Sequence, residues 1–217
     1  MIRSDAASLR YVDHGREVVA CDAVSLEVQK GEFLGILGPS GSGKSSLLYL
    51  LSGLKSPTSG RVLVNDQDMG QMTDAERAKL RLSTFGFVFQ QPFLLGYLSA
   101  VENALVGSSQ RELDRAFPLF ADLGLGEKML RRPHELSGGE KQRVCVARAI
   151  LGSPDVIFAD EPTAALDHAN GLAVVQLLNK HRGEGSLVMV THDPTMLEAA
   201  DRVLHLHEGR VERVETR

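Results

Sequence analysis

The stretch Phe33-Leu34-Gly35-Ile36-Leu37-Gly38-Pro39-Ser40-Gly41-Ser42-Gly43-Lys44-Ser45-Ser46-Leu47-Leu48 decides the fold. Phe33–Leu37 is a short apolar run ending in a Gly-rich turn, the reading of a buried central strand. Beyond the turn, Lys44–Leu54 carries leucines at 47, 48, 50, 51 and 54, the stripe of a mostly buried helix. Between strand and helix, residues 38–45 satisfy G-x-x-x-x-G-K-[ST]. Gly38, Gly41 and Gly43 allow the backbone to curl until its N–H groups converge on phosphate oxygens, with Pro39, Ser40, Ser42 and Ser46 completing the cradle. Lys44 can reach the β- and γ-phosphates, and the Ser45 hydroxyl can ligate Mg²⁺. The helix that follows points its positive end at the same anion. The rival reading is a plain Gly/Ser turn, and the strand before it and helix after it argue for the phosphate site.

Further along, Val156-Ile157-Phe158-Ala159-Asp160-Glu161 is an apolar strand ending in two carboxylates. Alone it reads as a strand with a solvated acidic turn. Beside the loop at 38–45 it suits a P-loop NTPase, with Asp160 holding Mg²⁺ and Glu161 polarising the attacking water. A third segment, Glu135-Leu136-Ser137-Gly138-Gly139-Glu140, carries a capping-box pair, Ser137 and Glu140, that opens a helix. Ser137, Gly138 and Gly139 then lie at a helix N-terminus, a generic anion site.

The rest of the chain alternates strands and helices. Val24–Val28 alternates apolar and polar residues until Gly31, Pro57–Gly60 is a turn, and Arg61–Val64 and Phe85–Phe89 are strands. Thr73/Glu76, Ser99/Glu102 and Ser109/Glu112 have capping-box spacing. From about residue 91 to 150 the pattern is helical, and Pro118 is expected to kink or split one of these helices. Leu187–Val190 is a strand, Asp193-Pro194 suits an N-cap and first helical position, and Val203–His207 with Arg210–Val214 suggests a closing hairpin. The expected fold is α/β with a mostly parallel sheet.

Bulk properties narrow the function. The net charge of −4 argues against a dedicated nucleic-acid binder. Cys21 and Cys145 make neither a zinc pattern nor a disulfide framework, which fits a reducing, cytosolic setting. No window approaches about 18 uninterrupted apolar residues, so a membrane role would need another chain to do the spanning. His205 and His207 share a strand face without a third ligand, so a solvated face is the favoured reading over a metal pair. Arg131-Arg132 reads as a solvated charge run.

Taken in order, these segments resemble the ABC ATPases, whose signature is LSGGQ. The resemblance runs through nearly the whole chain: Tyr11, the loop at Gly38, Gln90 after the strand Phe85–Phe89, Leu136–Glu140, Asp160-Glu161 with Pro162–Asp167, and His192 after Leu187–Val190. It implies a single ATPase domain over 1–217: a P-loop NTPase core from 1–90 and 151–217 with an N-terminal antiparallel β subdomain, and an inserted helical subdomain, 91–150, carrying the signature. It further implies ATP and Mg²⁺ as ligands. Tyr11 would stack on adenine, Ser45, Gln90 and Asp160 would hold Mg²⁺, Glu161 would be the general base, and His192 would contact the γ-phosphate. Asp167 would couple two sites across a dimer, though a plain surface role is equally open to it. The implied partners are a second copy, meeting head to tail so that Ser137–Gly139 of one chain closes the loop of the other, and an integral membrane permease. The chain would then sit at the cytoplasmic face of the membrane, without nucleic acid.

Finer resemblance, in GFVFQQPFLL, LSGGEKQRV and FADEPTAALD, points to the lipoprotein-releasing and macrolide-exporter branch. Glu140 stands where the signature usually has Gln, and Ala164-Ala165 replaces the more usual Gly-Asn. The stretch between Gln90 and Leu136 is short for the branch, which bears on what is transported. The alternatives are a non-transport ABC ATPase of the iron–sulfur assembly type and a cell-division regulator that uses ATP as a switch.

Overall fold

A computed structural model describes residues 2–13, 15–107 and 110–217. Chain order begins β1 (Ile2–Asp13), β2 (Arg16–Val28), β3 (Phe33–Leu37), α1 (Lys44–Leu51), β4 (Ser59–Val64), β5 (Gln67–Asp68) and α2 (Asp74–Thr84). It continues β6 (Phe85–Val88), α3 (Ala100–Ala104), α4 (Gln110–Asp122), α5 (Gly138–Leu151), β7 (Val156–Asp160), α6 (His168–His181), β8 (Ser186–Thr191), β9 (Arg202–His207) and β10 (Arg210–Thr216). The chain divides into two compact units, residues up to Arg81 together with Val188–Arg217, and Leu82–Leu187.

In the first unit, β2, β1, β4 and β5 form an antiparallel sheet in that order. β1 slips register against β2 between Ser4 and Leu9, and serine hydroxyls repair the interrupted ladder. Ser4 Oγ accepts from the Leu26 amide at 3.1 Å, Ser8 Oγ from Ala23 at 2.9 Å and Ser25 Oγ from Ala6 at 2.8 Å. β3 pairs parallel with β9, β9 turns antiparallel into β10, and β8 lies beside β3. Phe33, Leu34 and Ile36 of β3 are fully buried, as are Leu47, Leu48, Leu50 and Leu51 of α1, which matches the apolar patterning. The helix stops at Leu51, short of Leu54, because Gly53 takes φ 65° and turns the chain out of the helix.

In the second unit, β6 and β7 run parallel from Phe85 opposite Val156 to Val88 opposite Ala159. Phe158 meets Phe85 edge-on at 5.1 Å and stacks on Phe87 at 5.8 Å. Ser99 and Glu102 form the expected capping box on α3, while Ser109 of the Ser109/Glu112 pair lies outside the described residues. Two expectations are corrected. α4 runs unbroken through Pro118. Pro118 and Asp114 are both exposed, so the carbonyl that the proline cannot bond lies on a face open to water. The helical pattern also begins at Ala100 rather than near 91, since residues 91–98 form no helix. Pro92 and Gly96 break the segment, and its run Phe93-Leu94-Leu95 offers no polar face to oppose an apolar one.

The architecture is the expected α/β one: an antiparallel sheet, mostly parallel strand pairing elsewhere, and helices around them. Among the described residues no helix is long and apolar enough to cross a membrane.

Candidate active site

The glycine-rich loop read as the phosphate cradle belongs to the first unit and leaves the end of β3. Gly43 is the N-cap of α1, at φ 96°, with no side-chain cap and no acid in the first helical turn. The positive end of the helix is therefore not countered by a local carboxylate. Lys44 is buried, and its Nζ donates to the carbonyls of Gly38 at 2.8 Å and Pro39 at 3.0 Å, drawing the loop into a ring around a single cation. Ser42 N closes the loop onto Pro39 O at 3.2 Å. Among the described residues, Ser42 Oγ is buried without a hydrogen-bond partner. Ser45 and Ser46 are half-buried in the first turn of α1.

Two of the loop glycines are required by close backbone approach. A Cβ on Gly38 would lie 2.3 Å from Leu206 O, and one on Gly43 would lie 2.0 Å from Ala20 O. β2 therefore passes directly behind the loop. Tyr11 stands opposite Val18, two residues along β2 from that contact, and is half-buried. Val18, its cross-strand partner on the same sheet face, is 47% exposed and extends its apolar surface. His192 follows β8 and is exposed. His205 is half-buried in β9, its Nε2 3.3 Å from Glu215 and 3.2 Å from Arg213.

The second unit gathers the other candidates. Every residue of β7 is buried, including Asp160 at its end, and Glu161 follows at φ 44°, a left-handed conformation unusual for a side chain of its size. Gln90 lies two residues past the end of β6, and Glu161 one residue past the end of its parallel partner β7. Ser137 caps α5: its side chain accepts from Glu140 N at 3.3 Å, while Glu140 Oε2 accepts from Ser137 N at 2.9 Å. Gly138 sits between them with open space where a Cβ would be, and a Cβ on Gly139 would meet Asn170 Oδ1 at 3.7 Å.

Glu140, the departure from the usual signature Gln, forms an ion pair with Lys128. The hydrogen bond from Lys128, with that from the Ser137 amide, holds its carboxyl below the usual carboxylate range. Asp167 is the N-cap of α6, accepting from Asn170 N at 2.9 Å and Nδ2 at 2.7 Å, and the backbone bond from Asn170 lowers its pKa. Its side chain thus has a structural task within its own chain. Asn170 joins this cap to Gly139, so the start of α6 and the start of α5 touch.

Three contacts made by α5 escaped the sequence reading. Gln142 Nε2 donates to Phe89 O at 3.0 Å, Cys145 Sγ to Pro92 O at 3.0 Å, and Arg148 Nη1 to Phe93 O at 3.2 Å. Spaced three apart, they line one helix face and hold by its carbonyls the irregular segment around Gln90. Cys145 is buried, and burial pushes its thiol up to about 11, so it serves as a neutral donor.

Comparison with known proteins gives these features a common context. The ABC transporter family model matches residues 21–164. The lipoprotein-releasing system ATP-binding protein LolD of Aquifex aeolicus is 42% identical over 95% of this chain and 94% of its own length. The macrolide export ATP-binding/permease protein MacB of Hyphomonas neptunium is 42% identical over 93% of this chain, which spans only 33% of that protein. Among solved structures, the dimeric bacterial ABC transporter cassette MJ0796 superposes with a TM-score of 0.91 at 36% identity, covering 100% of this chain and 98% of the other. The same cassette in a dimeric post-hydrolysis state bound to ADP and Pi gives 0.90 at 34% identity, with the same coverage. Sequence likeness over nearly the full length and a shared fold agree with the motif order, and the chain belongs to the ABC transporter family as one of its ATP-binding cassettes.

Proposed function

We propose that two copies of this ATPase close head to tail on ATP, hydrolyse it between them and thereby drive a membrane permease at the cytoplasmic face of the membrane. The observation that carries this reading is that one chain offers two separate anion-binding helix starts. The start of α1 has no side-chain cap and no acid in its first turn. At α5 the capping box engages Ser137 N and Glu140 N, leaving Gly138 and Gly139 between them at the exposed end. A triphosphate carries enough charge to bind both, and two copies arranged head to tail would let it do so.

The chain is read as one cassette over 1–217, with 1–90 and 151–217 as nucleotide-binding core and 91–150 as the part carrying the signature. Within a site, the backbone of Gly38–Ser46 and Lys44 hold the phosphates, and Tyr11 stacks on adenine. Ser45, Gln90 and Asp160 present a hydroxyl, an amide and one carboxylate. This all-oxygen set fits Mg²⁺, which takes few protein carboxylates when phosphates complete its shell. Among the described residues no group of three or more His, Cys, Asp or Glu gathers to hold a metal. Bound there, Mg²⁺ would neutralise charge on the β- and γ-phosphates. Glu161 takes a proton from the attacking water, His192 orients the γ-phosphate, and Asp167 lies beside the signature that faces the second copy. The likeness to a lipoprotein-releasing subunit supports a permease partner of that branch.

Glu161→Gln tests the reading. The variant is expected to bind ATP, to release phosphate at least about 100-fold more slowly, and to elute as a dimer in ATP by size-exclusion chromatography. A variant that keeps most of the wild-type phosphate release would overturn the assignment of Glu161.

A further inference from the structure

We propose that the turn between β9 and β10, Glu208-Gly209 together with Arg210, is a positioning element that aims the phosphate loop from behind. The proposal rests on the reading of residues 38–46 as the triphosphate cradle. Gly209 N donates to Ser42 O at 2.9 Å, and Gly209 O accepts from Asp22 N at 2.9 Å. A single peptide turn thus bridges β2 and the loop. Arg210 locks the bridge from outside, its Nε donating to the Asp22 carboxylate at 2.8 Å. The turn needs two successive left-handed residues, Glu208 at φ 46° and Gly209 at φ 77°. Gly209 also has no room for a side chain, since its Cβ would lie 2.9 Å from Ala20 O and 3.2 Å from Cys21 Cα.

Peptide planarity carries the argument to the ligand. In a trans peptide the C=O and the following N–H point in opposite directions. Ser42 O is held by the hairpin behind the loop, so Gly43 N–H is directed away from the hairpin, toward the concave side where phosphate oxygens are read. The loop glycines fit the same picture. Gly38 is pressed by Leu206 O of β9, and a Cβ on Gly43 would lie 3.4 Å from Gly209 Cα as well as against Ala20 O. The back of the loop is a close backbone contact with β2 and the hairpin, and its front is left for the ligand. The sequence motif names the front residues; Asp22, Gly209 and Arg210 lie far from it in the chain.

Nucleotide affinity, measured by calorimetry with ATP on the full chain, is the test. Gly209→Ala attacks the bridge directly, and Arg210→Asp keeps the glycine while setting two carboxylates against each other. Each is expected to weaken ATP binding about tenfold and to raise KM while leaving kcat near wild type. Adding Asp22→Arg to Arg210→Asp restores an opposite-charge pair and should recover most of the affinity. Val203→Ala, a core truncation in β9, serves as a control of matched destabilisation and should lower Tm without changing ATP affinity. The proposal is overturned if Arg210→Asp binds ATP within about twofold of wild type, if the double variant shows no recovery, or if Val203→Ala loses affinity in step with its Tm. Lys44→Ala separates the two levels: unchanged ATP binding in that variant would remove the phosphate-loop reading itself, whereas lost binding there beside an unaffected Arg210→Asp would remove only the hairpin's role.

Discussion

Gly41→Ala and Gly43→Ala look equivalent in the motif, yet the structure separates them. Both positions have positive φ, 79° and 96°. A left-handed conformation costs an L-residue roughly 1–2 kcal/mol. At Gly41 that is the whole effect, because a Cβ there has nothing within 4 Å. At Gly43 the Cβ would lie 2.0 Å from Ala20 O. The obstacle is strand backbone, flanked by Cys21, which is paired with Leu9, so no side-chain rotation relieves it. Loop or strand must move by about 1 Å, and overpacking of this kind adds about 1–3 kcal/mol. For a chain of this length each kcal/mol lowers Tm by about 2–4 °C. Gly41→Ala should therefore lose about 2–8 °C and Gly43→Ala about 4–20 °C, the latter always the larger. Thermal unfolding by far-UV circular dichroism without nucleotide measures this. Equal Tm values for the two variants, within about 2 °C, would refute the claim that β2 presses on the loop from behind.

Acidification tests the capping carboxylates. The pKa values of Glu140, Glu135, Glu102 and Glu76 are held below the ordinary 4.5 by hydrogen bonds to their caps or to neighbouring cations. Groups with lowered folded-state pKa contribute stability that is fully present above the ordinary value and is lost as pH falls through the folded one. Tm should hold steady down to the ordinary carboxylate range and decline below it, and Glu140→Gln should flatten that decline; an unchanged slope in the variant would count against Glu140. The contacts from α5 give a second measurement. Gln142→Ala leaves Phe89 O without its side-chain donor, at a cost of about 1–3 kcal/mol, and should speed amide hydrogen exchange in residues 89–93. Cys145→Ser, which keeps a donor, should change exchange less than Cys145→Val, and the reverse order would exclude the thiol contact.

Much of the candidate site is legible in the sequence because its determinants are contiguous. The spacing of Gly38, Gly43, Lys44 and Ser45 specifies a local loop. Ser137 and Glu140 are three residues apart and bond to each other's backbone, and Phe33–Leu37 and Val156–Asp160 advertise burial by unbroken apolar runs. The irregular path of residues 91–98 was harder to read, since an apolar run carries no period that distinguishes a helix from an extended segment. Glu161 also gave no sign of its positive φ, because side-chain type says little about strain imposed from outside.

The sequence by itself determined the glycine-rich loop between β3 and α1 and the capped start of α5, since those depend on bonds across a few positions. Only the tertiary structure decided what stands behind them. Gln142 meets Phe89 across 53 residues, and Arg202 meets Glu32 across 170. Gly209 reaches Ser42 because β9 pairs with β3. No local propensity encodes such meetings. They follow from which strands become neighbours, and that choice is made by burial of the whole apolar surface at once.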